Sequence, residues 1–429
     1  MSQAGLPVPA PRSPRAGPVG RVLILVENLT VPFDRRVWLE ARALTEAGYL
    51  VSVICPTGPP HTAPYECLEG VHIYRYPAPP LTRSRLDYVR EFTYCWVRTA
   101  WLTLRVSREQ GFDVIHACNP PDTFWLLGLF YKVFGGKRFL FDQHDLCPEV
   151  FLARFSAQAS GFVHGALLWL ERCTYRTADL VVATNASYRE VAMGRGHMSP
   201  DRVVVVRSGP EQGRFTGVAP DPARRRGKRS LVAYLGVMGP QDGVDYLLRA
   251  AAALRKRGRD DVAYTLIGSG DSYDDLVRLS GELGLSDDVL FTGRIPDDEV
   301  EAILSTADVC VGPDPKNPLN DVSTMNKIVE YMALGKPVAA FDLRETRCSA
   351  GEGALYAVPN EIEDLASKIA TLLDDPDLRR RMGEYNRERF RASLAWEYSK
   401  TVLVEAYDRL LRVRRRAPRP EVAQAGRAT

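Results

Sequence analysis

From residue 21 onward, short runs of β-branched and apolar residues alternate with longer amphipathic stretches, and the alternation runs through the chain twice. The first series of strand candidates is 21–26, 51–55, 71–75, 113–116, 138–141, 180–183 and 203–206. The rhythm stops over 208–230 and restarts at 231–235, 264–267, 289–291, 309–311 and 337–340. Strands that are apolar along their whole length are buried on both faces, and the helices between them supply the cover. Two such series call for two doubly wound, Rossmann-like parallel-sheet α/β domains. Open sheets of this kind bind ligands outside the carboxyl ends of their strands. The expected site is therefore a cleft that the two domains face across, and residues just after strands are its candidates.

The expected boundaries are 20–207 for the N-terminal domain and 230–390 for the C-terminal domain. The Gly-, Pro- and Arg-rich stretch 208–229 reads as a linker. A helix follows within 391–411, with Trp396, Leu403, Tyr407 and Leu410 on one face. The ends 1–19 and 412–429 are rich in Pro, Ala, Gly and Arg and read as disordered tails. They hold the basic excess. The net charge is +3, yet 1–20 carry +2 and 412–429 carry +5, which leaves −4 for the body. A nucleic-acid partner is therefore not expected, since it needs a basic folded face. The basic end suits an anionic membrane surface, or simply a solvated tail.

The eight cysteines show no CxxC spacing and read as buried small residues of a reducing compartment, with no disulfide framework and no zinc cluster. No run of about 18 apolar residues marks a membrane span, and no apolar signal core opens the chain. A cytoplasmic protein is expected, with peripheral attachment to the inner membrane face as a further candidate. The aromatic and basic stretch 85–105, with Tyr88, Phe92, Tyr94, Trp96 and Trp101, reads as an interfacial helix or as a core helix with snorkelling arginines.

The segment 320–337, NDVSTMNKIVEYMALGKP, carries a helix start and a helix stop. Ser323 or Thr324 is placed to N-cap, and Gly335 followed by Pro337 closes a helix over about 325–334. Its first turn, with Asn326 and Lys327, offers free N–H groups, a positive dipole end and a cation for a phosphate. Glu330, three residues after Lys327, shares its face and suits ribose hydroxyls. An ordinary capped helix with a surface Lys–Glu pair fits the same residues.

This segment resembles the donor-binding segment of the family-4 retaining glycosyltransferases of GT-B architecture, whose Glu-x7-Glu motif EYMALGKP matches in its second half. The resemblance extends to LIGSGD at 266–271, FTGRIP at 291–296, ADVCVGP at 307–313 and LAWE at 394–397. It implies two Rossmann-like domains with a C-terminal helix crossing back. It also implies transfer of a hexosyl-type sugar from a nucleotide diphosphate sugar to a hydroxyl acceptor, with retention and without a cofactor or required metal. UDP- or GDP-linked donors are favoured, and the acceptor is a sugar or lipid-linked precursor of cell-surface polysaccharide or glycolipid. Glu330 becomes the ribose-binding residue, and Ile295 the neighbour of the base. Gly236 and Arg207 join the donor side, and His144 becomes the active-site histidine near the sugar.

Three departures from the family pattern stand out. Val322 occupies the place of the first motif glutamate, with Asp321 beside it as the candidate catalytic substitute. Val237 and Asp242 stand where the family carries an Arg and a Lys. The glycine pair after the first strand is replaced by ENLTVPFDRR at 27–36. Arg36, His116 and Asn119 are acceptor-side candidates. Asp142, His144, Asp145 and Glu149 invite a metal reading, which a single histidine makes weak. Two alternatives stand beside transfer: a sugar-nucleotide epimerase using His116 and His144, and a non-catalytic partner subunit that lacks the missing motif residues.

Overall fold

A computed structural model of the chain describes residues 17–79, 85–155, 161–215 and 217–413. The tails expected at 1–19 and 412–429 fall almost entirely outside these residues, and so does the side chain of Tyr88. The first series of elements runs β1 (Arg21–Leu25), α1 (Arg35–Glu46), β2 (Leu50–Pro56), β3 (Tyr65–Leu68), β4 (Val71–Tyr76), α2 (Arg85–Glu109), β5 (Val114–Cys118) and α3 (Trp125–Gly135). It continues with β6 (Arg138–Gln143), α4 (Cys147–Phe155), α5 (Gly161–Thr177), β7 (Leu180–Ala183), α6 (Ala186–Gly194) and β8 (Val203–Val205). The second series is β9 (Ser230–Leu235), α7 (Val244–Lys256), β10 (Val262–Ile267), α8 (Tyr273–Glu282), β11 (Val289–Gly293), α9 (Asp297–Thr306), β12 (Val309–Gly312) and α10 (Asn326–Ala333). After it come β13 (Val338–Phe341), α11 (Arg344–Ala350), β14 (Ala354–Ala357), α12 (Ile362–Asp374), α13 (Pro376–Arg389) and α14 (Trp396–Leu410).

The first sheet has the order β3-β4-β2-β1-β5-β6-β7-β8, and the second β11-β10-β9-β12-β13-β14. All strand pairs of the second sheet are parallel. In the first, β3 runs antiparallel to β4 at the sheet edge. All the strand candidates named from the sequence are strands. The pattern misses β3 and β14, and both are edge strands. An edge strand is covered less completely, so β3 alternates exposed and half-buried residues and lacks the apolar run that marks the central strands.

By contacts the chain forms two compact units. One comprises the chain up to His116, Phe130–Arg138 and the chain from Val404 on; the other comprises Ala117–Leu129 and Phe139–Leu403. In the first unit the end of α14 is tied down by Tyr49, which donates to Asp408 Oδ1 at 2.6 Å and meets the Tyr407 ring edge-on at 5.7 Å.

In the second unit alternate residues of each strand enter different cores. Val232, Tyr234, Tyr264, Leu266, Val309 and Val311 join residues of α7 and α12. Leu231, Ala233, Ala263, Ile267 and Cys310 join residues of α9 and α10. That is the two-residue period of a sheet covered on both faces. Local signals set the helix starts. Asp34, Asn185 and Asp375 cap α1, α6 and α13 by accepting from Val37 N at 3.1 Å, Tyr188 N at 2.7 Å and Leu378 N at 2.8 Å. Each such cap contributes about 1 kcal/mol.

The stretch read as a linker is firmly anchored. Glu301 accepts from Gly217 N at 2.7 Å and Val218 N at 3.2 Å. Its basic cluster is paired, Arg224 with Glu299 at 2.9 Å, Arg225 with Asp308 at 3.0 Å and Lys228 with Asp288 at 2.7 Å. Leu248, on α7, is wholly enclosed in the first of the two cores. Leu248→Ala is expected to cost about 2–5 kcal/mol, read as a lower unfolding midpoint in denaturant; an unchanged midpoint would contradict this packing.

Candidate functional site

The start of α10 differs from the sequence expectation. Residues 320–322 form a 3-10 turn and Ser323 leaves it extended, so Met325 takes the N-cap position and no side chain caps the helix. Ser323 and Thr324 are engaged elsewhere. Ser323 Oγ donates to Leu319 O at 2.8 Å and lies 3.0 Å from Tyr188 Oη. Thr324 Oγ1 accepts from Asn185 Nδ2 at 3.1 Å, and the same amide donates to Val322 O at 2.9 Å. With Met325 at the N-cap, both hydroxyls precede the capping position and are held by Leu319, Tyr188 and Asn185 instead. Those groups keep their anion-binding character, and Asn326, first in the helix, is exposed.

Lys327 is buried rather than on the surface. Its Nζ lies 2.6 Å from Asp314 Oδ1 and 3.6 Å from Asp242 Oδ1, and 4.9 Å from the centre of the Tyr234 ring. Burial works against the ammonium, but Asp314, Tyr234 and Asp242 outweigh it and hold its pKa above the usual lysine value. Burial raises the pKa of Asp242, against the pull of Lys327. Gly236 belongs to this packing. A Cβ there would lie 2.9 Å from Tyr234 Oη and 3.1 Å from Lys327 Cε, and a Cβ on Gly268 would fall 1.9 Å from Gly236 O. The loops after β9 and β10 thus approach each other as closely as backbone allows.

Glu330 pairs with Arg214, not with Lys327, so the surface Lys–Glu pair is set aside. Arg214 also stacks on Phe215, 5.1 Å from the ring centre. Asp321 accepts from Arg344 N at 3.0 Å and lies 3.4 Å from Lys316. Arg207 lies 3.9 Å from buried Glu345, whose carboxylate accepts from Ser187 Oγ at 2.6 Å. Ile295 is half-buried against the core that holds α10.

His144 follows β6 with Nε2 2.5 Å from Asp142 Oδ2, a carboxylate wholly removed from solvent. Asn119 organises the loop. Its Oδ1 accepts from His144 N at 2.7 Å and Asp145 N at 3.1 Å, while its Nδ2 donates to Asp145 O at 2.8 Å and Asp122 Oδ1 at 3.0 Å. Glu149 is bound by Arg195, which also holds Glu171. Of the four residues of the metal reading, His144 and Asp142 pair with each other, Asn119 holds the backbone of Asp145, and Arg195 holds Glu149.

In the first unit, Arg36 and His116 are drawn inward. Arg36 lies 3.1 Å from Glu40, and His116 is fully buried with Nδ1 2.7 Å from Tyr407 Oη and Nε2 3.5 Å from Glu40. The correction for His116 is that its ring forms a polar bridge between α1 and α14. Glu27, first residue of the segment 27–36, is buried, and burial with the Glu91 charge pushes its pKa up to about 8.

Sequence reasoning missed Asp314, Arg214, Asn185, Tyr188 and Glu345 as parts of the site. Asp314 lies two residues after β12, a signal that was available. Arg214 was hidden in the apparent linker, and the other three become visible only through contacts distant in sequence.

A family model described as glycosyl transferases group 1 matches residues 219–389, and one described as glycosyl transferase 4-like domain matches residues 34–209. Among curated proteins, an alpha-D-kanosaminyltransferase of Streptomyces kanamyceticus is 33% identical over 158 residues, 36% of this chain and 39% of its own length. A D-inositol 3-phosphate glycosyltransferase of Salinispora arenicola is 26% identical over 403 residues, 86% of this chain and 84% of its own. The chain spans 39%, 50% and 58% of the length of three such relatives. Among solved structures, sucrose-phosphate synthase from Thermosynechococcus elongatus superposes with a TM-score of 0.72 at 21% identity, covering 92% of this chain and 99% of that one. Anabaena HepE in complex with UDP-glucose gives 0.67 at 15% identity, covering 91% and 100%.

Two predictions follow from the geometry. Lys327→Met leaves Asp314 and Asp242 facing each other unpaired, and is expected to cost about 3–5 kcal/mol, with partial recovery in Lys327→Met/Asp314→Leu; equal stability of wild type and single mutant would refute the pairing. Glu27 binds a proton more tightly folded than unfolded, so its contribution is full below about pH 4.5 and is lost as pH rises toward 8. Glu27→Gln should therefore match wild type in chemical denaturation near pH 4.5 and exceed it near pH 8.

Proposed function

We propose, from the match of residues 219–389 to glycosyl transferases group 1 and of residues 34–209 to the glycosyl transferase 4-like domain on a GT-B fold of two Rossmann-like sheets, that the chain transfers a sugar from a nucleotide diphosphate sugar to a hydroxyl acceptor with retention of configuration. The carrying observation is α10. Its N-terminus has no side-chain cap, Lys327 is packed in its first turn beside Gly236, and Glu330 follows one turn later. Uncapped N–H groups and a fixed cation form a preorganised cradle for the charge that builds on a leaving diphosphate. Glu330 accepts ribose hydroxyls, since a carboxylate has lone pairs beyond those that Arg214 uses.

His144, oriented by Asp142 and by Asn119 at its backbone, hydrogen-bonds the transferred sugar. Asp321 serves to order the turn that leads into α10. Anabaena HepE was solved with UDP-glucose, which supports a UDP-linked donor here.

The acceptor side is proposed to be lipid-linked. Along α3, Leu126, Leu129, Phe130, Val133 and Phe134 are exposed at helical spacing, and Lys132, Lys137 and Arg138 lie in or beside this stretch. That combination suits an anionic membrane surface. Among the described residues no helix is long and apolar enough to cross a membrane.

A second reading, a non-catalytic partner subunit, draws on one observation: Lys327 is held by two carboxylates, one of them at the place where the family has a cation. Calorimetry with UDP, GDP and dTDP separates the two. The transfer reading expects one nucleotide to bind, at least tenfold weaker to Glu330→Ala, and expects His144→Ala to lower kcat while leaving nucleotide affinity within about threefold. Absence of binding to all three nucleotides would favour the partner subunit.

A further inference from the structure

Away from α10's N-terminus lies a cavity of about 450 Å³, within the range of small-molecule sites. Its apolar wall is formed by Phe215, Val218, Leu334 and Phe390, and its cations are Lys336, Arg387 and Arg391. Among the described residues that line it, none is acidic. Lys336 Nζ donates to the carbonyls of Ser305 at 2.5 Å and Ala307 at 3.0 Å, and Arg387 Nη2 to that of Leu334 at 3.3 Å. These acceptors are neutral, so they orient the cations without cancelling their charge. Burial lowers the pKa of Lys336, against the pull of Asp308, which is itself bound by Arg225 at 3.0 Å and by Leu231 N at 2.9 Å.

The walls are preformed. Glu301 fixes Gly217 and Val218 through their N–H groups, and Gln212 donates its N–H to Glu397 at 3.1 Å and its side-chain amide to Arg391 O at 3.4 Å. Arg387 lies over Gly335, where a Cβ would come within 2.6 Å of the guanidinium. The glycine that ends α10 therefore also makes room for one of the cavity's cations.

We propose that this cavity is a second ligand site, built for a small organic phosphomonoester whose apolar body packs on Phe215 and Phe390 while its phosphate meets Arg387, Arg391 and Lys336. Guanidinium groups match phosphate oxygens in geometry and carry charge at every physiological pH. An apolar wall facing three cations selects an amphipathic anion over a bare one.

Phenyl phosphate is the probe, titrated by calorimetry into the full chain, with inorganic phosphate and phenol as controls. The proposal expects saturable binding of phenyl phosphate at least tenfold tighter than either control. Arg391→Gln, which alters an exposed side chain and keeps the backbone carbonyl that Gln212 and Tyr398 use, should weaken it at least tenfold and leave thermal unfolding and nucleotide binding as in wild type. Glu330→Ala should leave it unchanged, which separates this site from the nucleotide cradle. No saturable binding in the millimolar range, or binding lost in Glu330→Ala but retained in Arg391→Gln, would overturn the proposal.

Discussion

The buried ammonium of Lys327 is the interaction on which the rest of the second unit's candidate site depends. It joins the loop after β9 through Asp242, the loop after β12 through Asp314, and the first turn of α10 through its own backbone. Removing these charges from water costs several kcal/mol per ion, and the cost is recovered only while all partners stay in place. The group therefore specifies a geometry more than it adds stability. It fixes where the helix begins relative to the sheet, and so where free N–H groups point.

A second set of ties holds the approach to that helix. Asn185 caps α6 with its oxygen and, with its amide nitrogen, holds Val322 O and Thr324 Oγ1. Tyr188 and Ser187, on the same helix, engage Ser323 and Glu345. One short helix start thereby positions the turn before α10, although some 135 residues separate them in sequence. Arg214 completes the arrangement from the other direction by holding Glu330, and Phe215 beside it forms part of the phosphomonoester cavity.

Much of the fold was legible because burial on both sheet faces leaves a mark on every residue of a central strand. Edge strands β3 and β14 escaped because β3 has no fully buried residue and half of β14 is only partly buried. The helix over α10 was legible from its apolar spacing and its Gly335 stop, yet its start was not: Ser323 and Thr324 are good caps in isolation, and distant partners claimed their hydroxyls first. His116 shows the opposite case. A histidine at a strand end resembles a site residue, and in the fold it is enclosed in the interior between Tyr407 and Glu40.

The sequence by itself determined two parallel-sheet domains, the position of α10 and the residue types at its first turn, because these follow from periodicity and from local turn chemistry. Only the tertiary structure decided which charges meet. Lys327 looks like a free surface cation in sequence and is a buried, doubly paired one in the fold. Arg214 looks like linker and is the partner of Glu330. Electrostatic pairing depends on distances of a few ångströms between segments far apart in the chain, and no local pattern encodes those distances.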